Sequence, residues 1–416
     1  MHKRLLGILT AFSLLAGLAV AGEPASTQTN SKPKVVVFAV NGAEWDILRP
    51  LVIRGDMPNL KHIMENGVYG KLRTVSAPNC PKVFTAFATS TPPSVNGITD
   101  FVVAGQTANT NMLKVEPIWS ILSKHDVTVG MANVPATFPT MPVNGYMISG
   151  MLTRGKNCED GLLCAPKLSE VEGGDAVYPK SMIPELEKNV GDFHIDCSRM
   201  PTADQLKGKE ASVVKAWLDG VQQIRDEQTK LFDYLLTNHP TEYTMLDQSC
   251  EDRTGHWLYP IQPFNAKYDA KVNSVDVQAF PDQYRAMDKV LGVILKHVDD
   301  NTYFFMIADH GIKPLREIHE DNMESMHHGT TPVIAKHDYP DGDDVPGAFL
   351  AMGPGIKKGV ELEGWQVSAF DIAPTILHIY GIEPPSYMQG HFLSTIFNSD
   401  QTQNAKAEAP QMNVKH

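Results

Sequence analysis

Cys80 has the residue type and the position of a nucleophile. It stands directly before Pro81, and residues 81–89 have helical character, so the proline predicts a helix that begins at or beside Cys80. A thiolate there faces the positive end of the helix dipole. The apolar, β-branched run 35–40 ends at Asn41-Gly42, as a buried parallel strand ends when it presents a polar group at its carboxyl edge. The two stretches together predict half of an active site.

Asp309 and His310 follow directly after an apolar run, residues 302–308. Ligands bind at the carboxyl edge of parallel sheets, and Gly311 permits a bend that turns both side chains toward one metal ion. The alternative is a strand end that merely caps a turn. We favour a metal site.

Asp252 and His256 are four residues apart, which places both on one face of a helical turn. Oxygen and nitrogen ligands together suit Zn²⁺. The alternative is a solvated loop in which the spacing is incidental. We interpret the pair as a second set of metal ligands.

Apolar runs and helical patterns alternate along most of the chain, which predicts a doubly wound, mostly parallel α/β sheet with helices on both faces. Residues 35–149 and 241–398 are expected to form this core. Residues 134–152 carry prolines and glycines and are not expected to form one regular element. The alternation is lost over 150–240 apart from one long helix near 212–236, and we expect a cap insertion there.

Residues 1–21 combine a basic start, an apolar stretch and small residues before the end, which predicts a cleavable secretory signal and export to the periplasm or medium. The alternative is a membrane anchor, but the apolar stretch is shorter than the ~20 residues that a spanning helix needs. Residues 22–34 and 399–416 have the composition of a disordered leader and tail. We expect no stable membrane anchor.

The chain has a formal net charge of −12 and no polybasic cluster, which argues against nucleic-acid partners. Its five cysteines would meet an oxidising environment after export. Cys158 with Cys164, and Cys197 with Cys250, are candidate disulfides, although sequence alone does not fix connectivity. The odd cysteine would then be Cys80, with a buried thiol or a disulfide partner as the alternatives.

Several motifs together resemble the type I phosphodiesterase/nucleotide pyrophosphatase branch of the alkaline phosphatase superfamily. That branch has a strand ending in Asp-Gly, a Pro-Asn-Leu sequence, a Ser or Thr nucleophile before a Thr-Gly pair, and a later His-Gly-Ile. The corresponding stretches here are Asn41-Gly42, Met57-Pro58-Asn59-Leu60, Cys80, Thr89-Ser90 and Asn96-Gly97-Ile98. The resemblance covers most of the chain and implies an alkaline-phosphatase-like fold.

The resemblance also implies a two-metal site in which Cys80 is the nucleophile. Zn²⁺ is the expected cofactor, as one or two ions, with Mn²⁺ or Ca²⁺ as alternatives. In-line displacement between two metals activates the nucleophile and stabilises the leaving oxygen. The implied ligands are Asn41, Asp252, His256, Asp309 and His310.

A distal histidine usually completes the first metal site of the superfamily, and two histidines here compete for that role. His337 precedes a stretched version of the superfamily sequence His-Thr-Gly-x-Asp-Val-Pro. His328 precedes Gly-Thr-Thr-Pro-Val, which also resembles a ligand context. We favour His337; some members of the branch have histidine where Asp344 stands here.

Four positions depart from the family pattern. Asn41 replaces a carboxylate, Cys80 replaces Ser or Thr, Ser90 replaces Gly, and Asn96 replaces His. A neutral amide is a poorer ligand for a hard cation, whereas a thiolate can be a nucleophile or a zinc ligand. Sulfatases of the superfamily convert a cysteine to formylglycine within Cys-x-Pro-x-Arg, but this chain reads Cys-Pro-Lys-Val-Phe, which argues against that conversion.

The sequence therefore predicts an exported, metal-dependent hydrolase that acts on a small phosphate ester through a metal-activated nucleophile at Cys80. One alternative is a catalytically silent relative that retains the pocket for ligand binding. Another is hydrolysis of a sulfate or phosphonate ester.

Overall fold

The computed structural model describes residues 32–156, 165–197, 210–258, 278–314, 335–336 and 345–399. Nine strands of the described residues form one mixed sheet. They are β1 (Lys34–Val40), β2 (Val68–Arg73), β3 (Val129–Asn133), β4 (Gly145–Gly150), β5 (Val177–Tyr178), β6 (Tyr243–Gln248), β7 (Thr302–Ala308), β8 (Gly347–Met352) and β9 (Val360–Ser368). Their order across the sheet is β9-β2-β8-β7-β1-β6-β3-β4-β5.

Most neighbouring strands are parallel. β1 is parallel to β6 and β7, β3 is parallel to β6 and β4, and β9 is parallel to β2. β8 runs antiparallel to β2 and β7, and β5 runs antiparallel to β4. Two further ladders have two strands each, Val102–Val103 with Gln106–Thr107 and Lys313–Pro314 with Ala335–Lys336.

Helices cover both faces of the sheet. They are α1 (Trp45–Ile53), α2 (Pro58–Asn66), α3 (Cys80–Thr89), α4 (Pro93–Asn96), α5 (Ile118–Lys124), α6 (Ile183–Asn189), α7 (Glu210–Asn238), α8 (Cys250–Leu258), α9 (Ala279–Leu295) and α10 (Ile372–Ile379). Short 3₁₀ turns lie at Thr110–Met112, Leu168–Glu170, Glu172–Gly174, Lys180–Met182, Ala369–Asp371 and Ser394–Ile396. The predicted α/β fold, mostly parallel with helices on both faces, is confirmed.

The two faces of the sheet bury different helices because successive strand residues point to opposite sides. Phe38 of β1 and Leu246 of β6 pack against α1, α2 and α7 to α9. Val37 and Met245, each one residue earlier, pack against α3, α5 and α10. All four side chains are at most 4% exposed, so apolar burial on both faces fixes the strand register.

Two segments add detail to the sequence expectation. Within 134–152, residues 145–150 form β4 and pair with β3 despite the flanking prolines and glycines. The long helix expected near 212–236 is α7, and its Leu231 and Phe232 are fully buried in the same apolar cluster as β1. This helix therefore packs in the core layer, and the cap insertion expected over residues 150–240 stays a prediction.

Other expectations lie outside the described residues. These are the secretory signal, the leader up to residue 31, the loop between Cys158 and Cys164, and the tail after residue 399. In the described ranges, no helix is both long and apolar enough to cross a membrane. The expected bridge between Cys197 and Cys250 is formed, with 5.2 Å between the Cα atoms, and Cys80 is a free, buried thiol.

A buried ion pair ties together the three helices behind β6. Arg225 of α7 donates from Nη2 to Glu251 Oε1 of α8 at 2.9 Å and to Gln283 Oε1 of α9 at 3.1 Å. Arg225 is 1% exposed and Glu251 is fully buried. Burial raises the pKa of the Glu251 carboxyl, and the guanidinium of Arg225 opposes that rise.

We expect Arg225→Met to lower the free energy of unfolding by about 3–5 kcal/mol, because it leaves the Glu251 carboxylate buried and unpaired. Urea denaturation of the purified protein measures the change. Arg225→Met with Glu251→Leu should recover most of the loss, since both charges are then gone.

Arg49→Met is the matched control, because Arg49 pairs with Glu361 on the surface, where both side chains are more than 40% exposed. The Arg49→Met substitution should lower the free energy of unfolding by no more than about 1 kcal/mol. Equal losses for Arg49→Met and Arg225→Met would contradict a stabilising role for the buried pair.

Candidate metal and nucleophile site

The site lies where three adjacent parallel strands end together. β1 lies between β6 and β7, with Val40 opposite both Gln248 and Ala308. This register brings the residue after β1, Asn41, and the residue after β7, Asp309, to one edge of the sheet. Ligand sites of open α/β sheets lie at this carboxyl edge.

Gly42 spaces the elements around this edge. Its N–H donates to Asp309 Oδ1 at 3.3 Å, and its carbonyl accepts from the Tyr284 hydroxyl at 2.7 Å. Its φ is +78°, and a Cβ at this position would lie 3.0 Å from the Cα of Asp252. Only glycine combines this left-handed backbone with so close an approach to α8.

Cys80 is the first residue of α3, as the sequence predicted. Asn79 caps the helix, because its Oδ1 accepts from the Lys82 N–H at 3.1 Å while its Nδ2 donates to Asp100 Oδ1 at 3.1 Å. The Cys80 side chain is 2% exposed. The N-terminus of α3 thus presents a buried thiol to the strand ends.

Cys80, Asp309 and His310 form a buried group with metal-ligand chemistry. One ligand atom from each, sulfur, oxygen and nitrogen, lies within 4.8 Å of the other two. Cys80 Sγ is 3.9 Å from His310 Nε2, which is 3.1 Å from Asp309 Oδ2. Zn²⁺ accepts all three donor types, so these residues fit one metal ion of that class.

Electrostatics sets the charge of the thiol and the imidazole. Burial raises the pKa of the Cys80 thiol well above its usual value, and the carboxylates of Asp309 and Asp252 raise it further. Burial alone would lower the pKa of His310, but the charge and hydrogen bond of Asp309, the charge of Asp252 and the Gly311 carbonyl together raise it. A nearby divalent cation would reverse both effects, because it favours thiolate and neutral imidazole.

Asn41 is buried, and its amide is bonded to the neighbouring strand. Its Nδ2 donates to Asp247 Oδ1 at 2.9 Å and Oδ2 at 3.2 Å, and also to the Gln248 carbonyl at 3.4 Å. Its Oδ1 is buried and has no hydrogen-bond partner within the described part of the chain. This oxygen is therefore a candidate ligand, as the sequence predicted for position 41.

Asp247 is a site residue that the sequence analysis missed. It is 2% exposed, and burial raises its pKa well above the usual range, with further increases from Asp309 and Asp196. The signal was present, because Asp247 follows apolar residues near the end of a strand, as Asp309 does. The sequence analysis did not single out Asp247 because no motif of the family includes this position.

Asp252 lies on α8, which confirms the helical spacing from Asp252 to His256. Asp252 Oδ2 accepts from Arg253 Nη1 at 2.9 Å, and Arg253 Nη2 reaches Asp196 Oδ2 at 3.4 Å. The disulfide from Cys197 to Cys250 joins the segments that carry these groups. The side chain of His256, and residues His328, His337 and Asp344, lie outside the described part of the chain.

Ser90 and Asn96 form local turns. Ser90 ends α3 with φ at +53° and accepts from the Gly390 N–H at 2.9 Å. Asn96 is fully buried, donates to the Thr91 carbonyl at 2.9 Å and accepts from the Ile98 N–H at 3.0 Å. Both Asn96 side-chain groups are therefore used within its own loop.

Comparison with solved structures finds proteins of the same fold. Human ectonucleotide pyrophosphatase/phosphodiesterase 5 is 14% identical, and the match covers 88% of this chain and 100% of that chain with a TM-score of 0.52. An inactive form of the murine protein, in complex with AMP, is 14% identical over the same shares with a TM-score of 0.50. A candidate sulfatase from Bacteroides thetaiotaomicron is 12% identical, over 88% of this chain and 75% of that one, with a TM-score of 0.51.

Comparison with protein families gives the more specific result. The model named "Type I phosphodiesterase / nucleotide pyrophosphatase" matches residues 35–359, which is well over half of the chain. Family and fold together support a hydrolase of this superfamily. The chain belongs to the type I phosphodiesterase/nucleotide pyrophosphatase family of the alkaline phosphatase superfamily.

Proposed function

We propose that this protein is a metal-dependent hydrolase of small phosphate esters and that Cys80 is its nucleophile. The observation that carries the proposal is the buried group of Cys80, Asp309 and His310, whose ligand atoms lie within 4.8 Å of one another. Family membership favours phosphate esters, and AMP bound to the murine relative is a ligand of that class. The basic and apolar start of the chain supports export.

Asp309, His310 and the oxygen of Asn41 would hold a Zn²⁺-class ion. When bound, such an ion favours a thiolate and neutralises charge on the phosphoryl oxygens. Asp252 lies against Gly42, whose N–H donates to Asp309, and with His256 it would serve a second ion. Burial of Cys80, Asp309 and His310 would exclude water from the thiol until substrate enters.

Cys80 Sγ would attack phosphorus, forming an S–P bond as the P–O bond to the leaving group breaks. The leaving oxygen takes up a proton and departs as an alcohol. Water then forms a new O–P bond, the S–P bond breaks, and the thiol is restored. The net reaction consumes one water and releases one phosphate product and one alcohol.

A silent, ligand-binding relative is the second candidate. The specific observation in its favour is the thiol of Cys80, whose pKa is raised by burial and by two carboxylates. In addition, the neutral Asn41 stands where the family has a carboxylate, so the site has one negative charge fewer with which to hold a cation. The two candidate functions predict different results for ester hydrolysis, because a hydrolase turns substrate over and a binding protein does not. Substitutions at Cys80 and Asn41 test this difference.

We expect the mature protein, loaded with Zn²⁺, to hydrolyse an aryl phosphodiester or phosphomonoester, and Cys80→Ala to lower kcat on the order of 10³-fold or more, as loss of a nucleophile does. Release of the aryl alcohol measures turnover. An aryl sulfate and an aryl phosphonate, tested in parallel, distinguish the ester class.

Cys80→Ser with Asn41→Asp is the informative companion variant, because it restores the family residues at both positions. If the wild type is inert on every ester while this double variant turns over, the protein is a silenced hydrolase and its function is binding. Cys197→Ala is unsuitable as a cysteine control because it breaks a disulfide, so Ser90→Ala, outside the proposed ligand set, serves instead.

Asp309→Asn should lower Zn²⁺ affinity by at least about 10-fold, because it removes a charged ligand from a buried site. Competition with a chromophoric chelator measures affinity, and mass spectrometry under native conditions counts the bound ions. Asp299→Asn is the control, since Asp299 is exposed and pairs with Lys34. Unchanged affinity in Asp309→Asn would show that the ion binds elsewhere.

A further inference from the structure

The mechanism above gives no role to Asp247, a buried side chain at the strand ends. Asp247 and Asn41 are 206 residues apart in sequence and lie on neighbouring strands. Both are at most 2% exposed. A polar pair buried this completely costs desolvation free energy unless its hydrogen bonds are made, so its arrangement is well determined.

The acceptors around Asn41 fix the orientation of its amide. Asp247 Oδ1 and Oδ2, and the carbonyl of Gln248, all lie within 3.4 Å of the same terminal atom. The Gln248 carbonyl can only accept, so the atom that faces it is the amide nitrogen, which also donates to both Asp247 oxygens. The position of Oδ1 follows from this assignment.

The amide plane then directs Oδ1 away from β6. Oxygen and nitrogen diverge from Cγ, so an Nδ2 bonded to β6 turns Oδ1 from that strand. β7, which carries Asp309, lies on the other side of β1. The next residue along the chain, Gly42, donates to Asp309 Oδ1 at 3.3 Å, which places this stretch of backbone against the Asp309 carboxylate. Oδ1 is buried and, among the residues described, has no hydrogen-bond partner.

We propose that Asp247 is a positioning residue that holds the Asn41 amide with Oδ1 directed at the cation held by Asp309 and His310. The inference rests on the proposed metal-dependent function. It explains how Asn41, which stands where the family has a carboxylate, still contributes a ligand to the metal ion. Asp247 supplies a carboxyl one strand away from the place where the family has a metal-binding aspartate. Asn41 is thereby a neutral oxygen ligand whose orientation is set by its neighbour.

Asp247→Asn tests the proposal with little change in shape. An amide at 247 can donate as well as accept, so only the more distant Gln248 carbonyl still selects the nitrogen end of the Asn41 amide, and the orientation of Oδ1 is held less firmly. We expect Zn²⁺ affinity, measured by chelator competition, to fall by about 10–100-fold, as it does when the partner of a metal ligand is changed. The Co²⁺-substituted protein should show an altered visible spectrum, since one oxygen ligand is lost or misplaced.

Asp288→Asn is the matched control. Asp288 is 2% exposed and its Oδ2 accepts from the Nδ2 of the half-buried Asn59 at 2.9 Å, so it forms an Asn–Asp pair between α2 and α9, away from the strand ends. This substitution is expected to lower thermal stability and to leave the affinity and the Co²⁺ spectrum unchanged. The control therefore separates positioning of a ligand from general loss of a buried hydrogen bond.

Asn41→Asp with Asp247→Asn gives the rescue, because it places the carboxylate on β1 and the amide on β6. We expect Zn²⁺ affinity to return at least to the wild-type value. Wild-type affinity and an unchanged spectrum in Asp247→Asn alone would overturn the proposal, as would a wild-type protein that binds no Zn²⁺. A wild type that binds Zn²⁺ but hydrolyses no ester would overturn only the hydrolase, since the effect of Asp247→Asn is read from binding.

Discussion

An excess of buried negative charge at the carboxyl edge of the sheet is the constraint on which the site depends. Asp196, Asp247, Asp252 and Asp309 are each at most 4% exposed, and within the described part of the chain Arg253 is the buried cation that contacts two of them. Carboxylates removed from water are costly unless they are paired, protonated or bound to a metal. Burial is the main cause of the raised pKa of Asp247 and of Cys80, and the neighbouring carboxylates raise both further.

Local signals were enough to place Cys80 at a helix start and Asp309 with His310 at a strand end. Proline after Cys80 marked a helix start, and the apolar run before Asp309 marked a buried strand whose end would carry polar groups. Both signals lie within a few residues of the side chain concerned, so sequence alone contains them. The family resemblance added the expectation that these two stretches, distant in sequence, meet in one site.

Features that depend on distant pairing were not predictable in the same way. The bond from Asn41 to Asp247 requires β1 and β6 to be neighbours in a particular register, which no local pattern encodes. β4 was missed because flanking prolines and glycines obscured a short strand that pairing with β3 stabilises. The long helix α7 was located, but its place in the core layer follows from which apolar stripe meets the sheet, and that is a tertiary property.

Gly42 has a consequence for how such a site can diverge. Its backbone, bonded to Asp309 at one end and to Tyr284 at the other, sets the spacing between the strand end and α8, while its missing Cβ admits Asp252. The main chain of Gly42 therefore sets the distance between the strand end and α8, and this distance does not depend on which side chains occupy the site. The side chains at positions such as 80 and 41 can therefore change during evolution while the backbone geometry around them is kept.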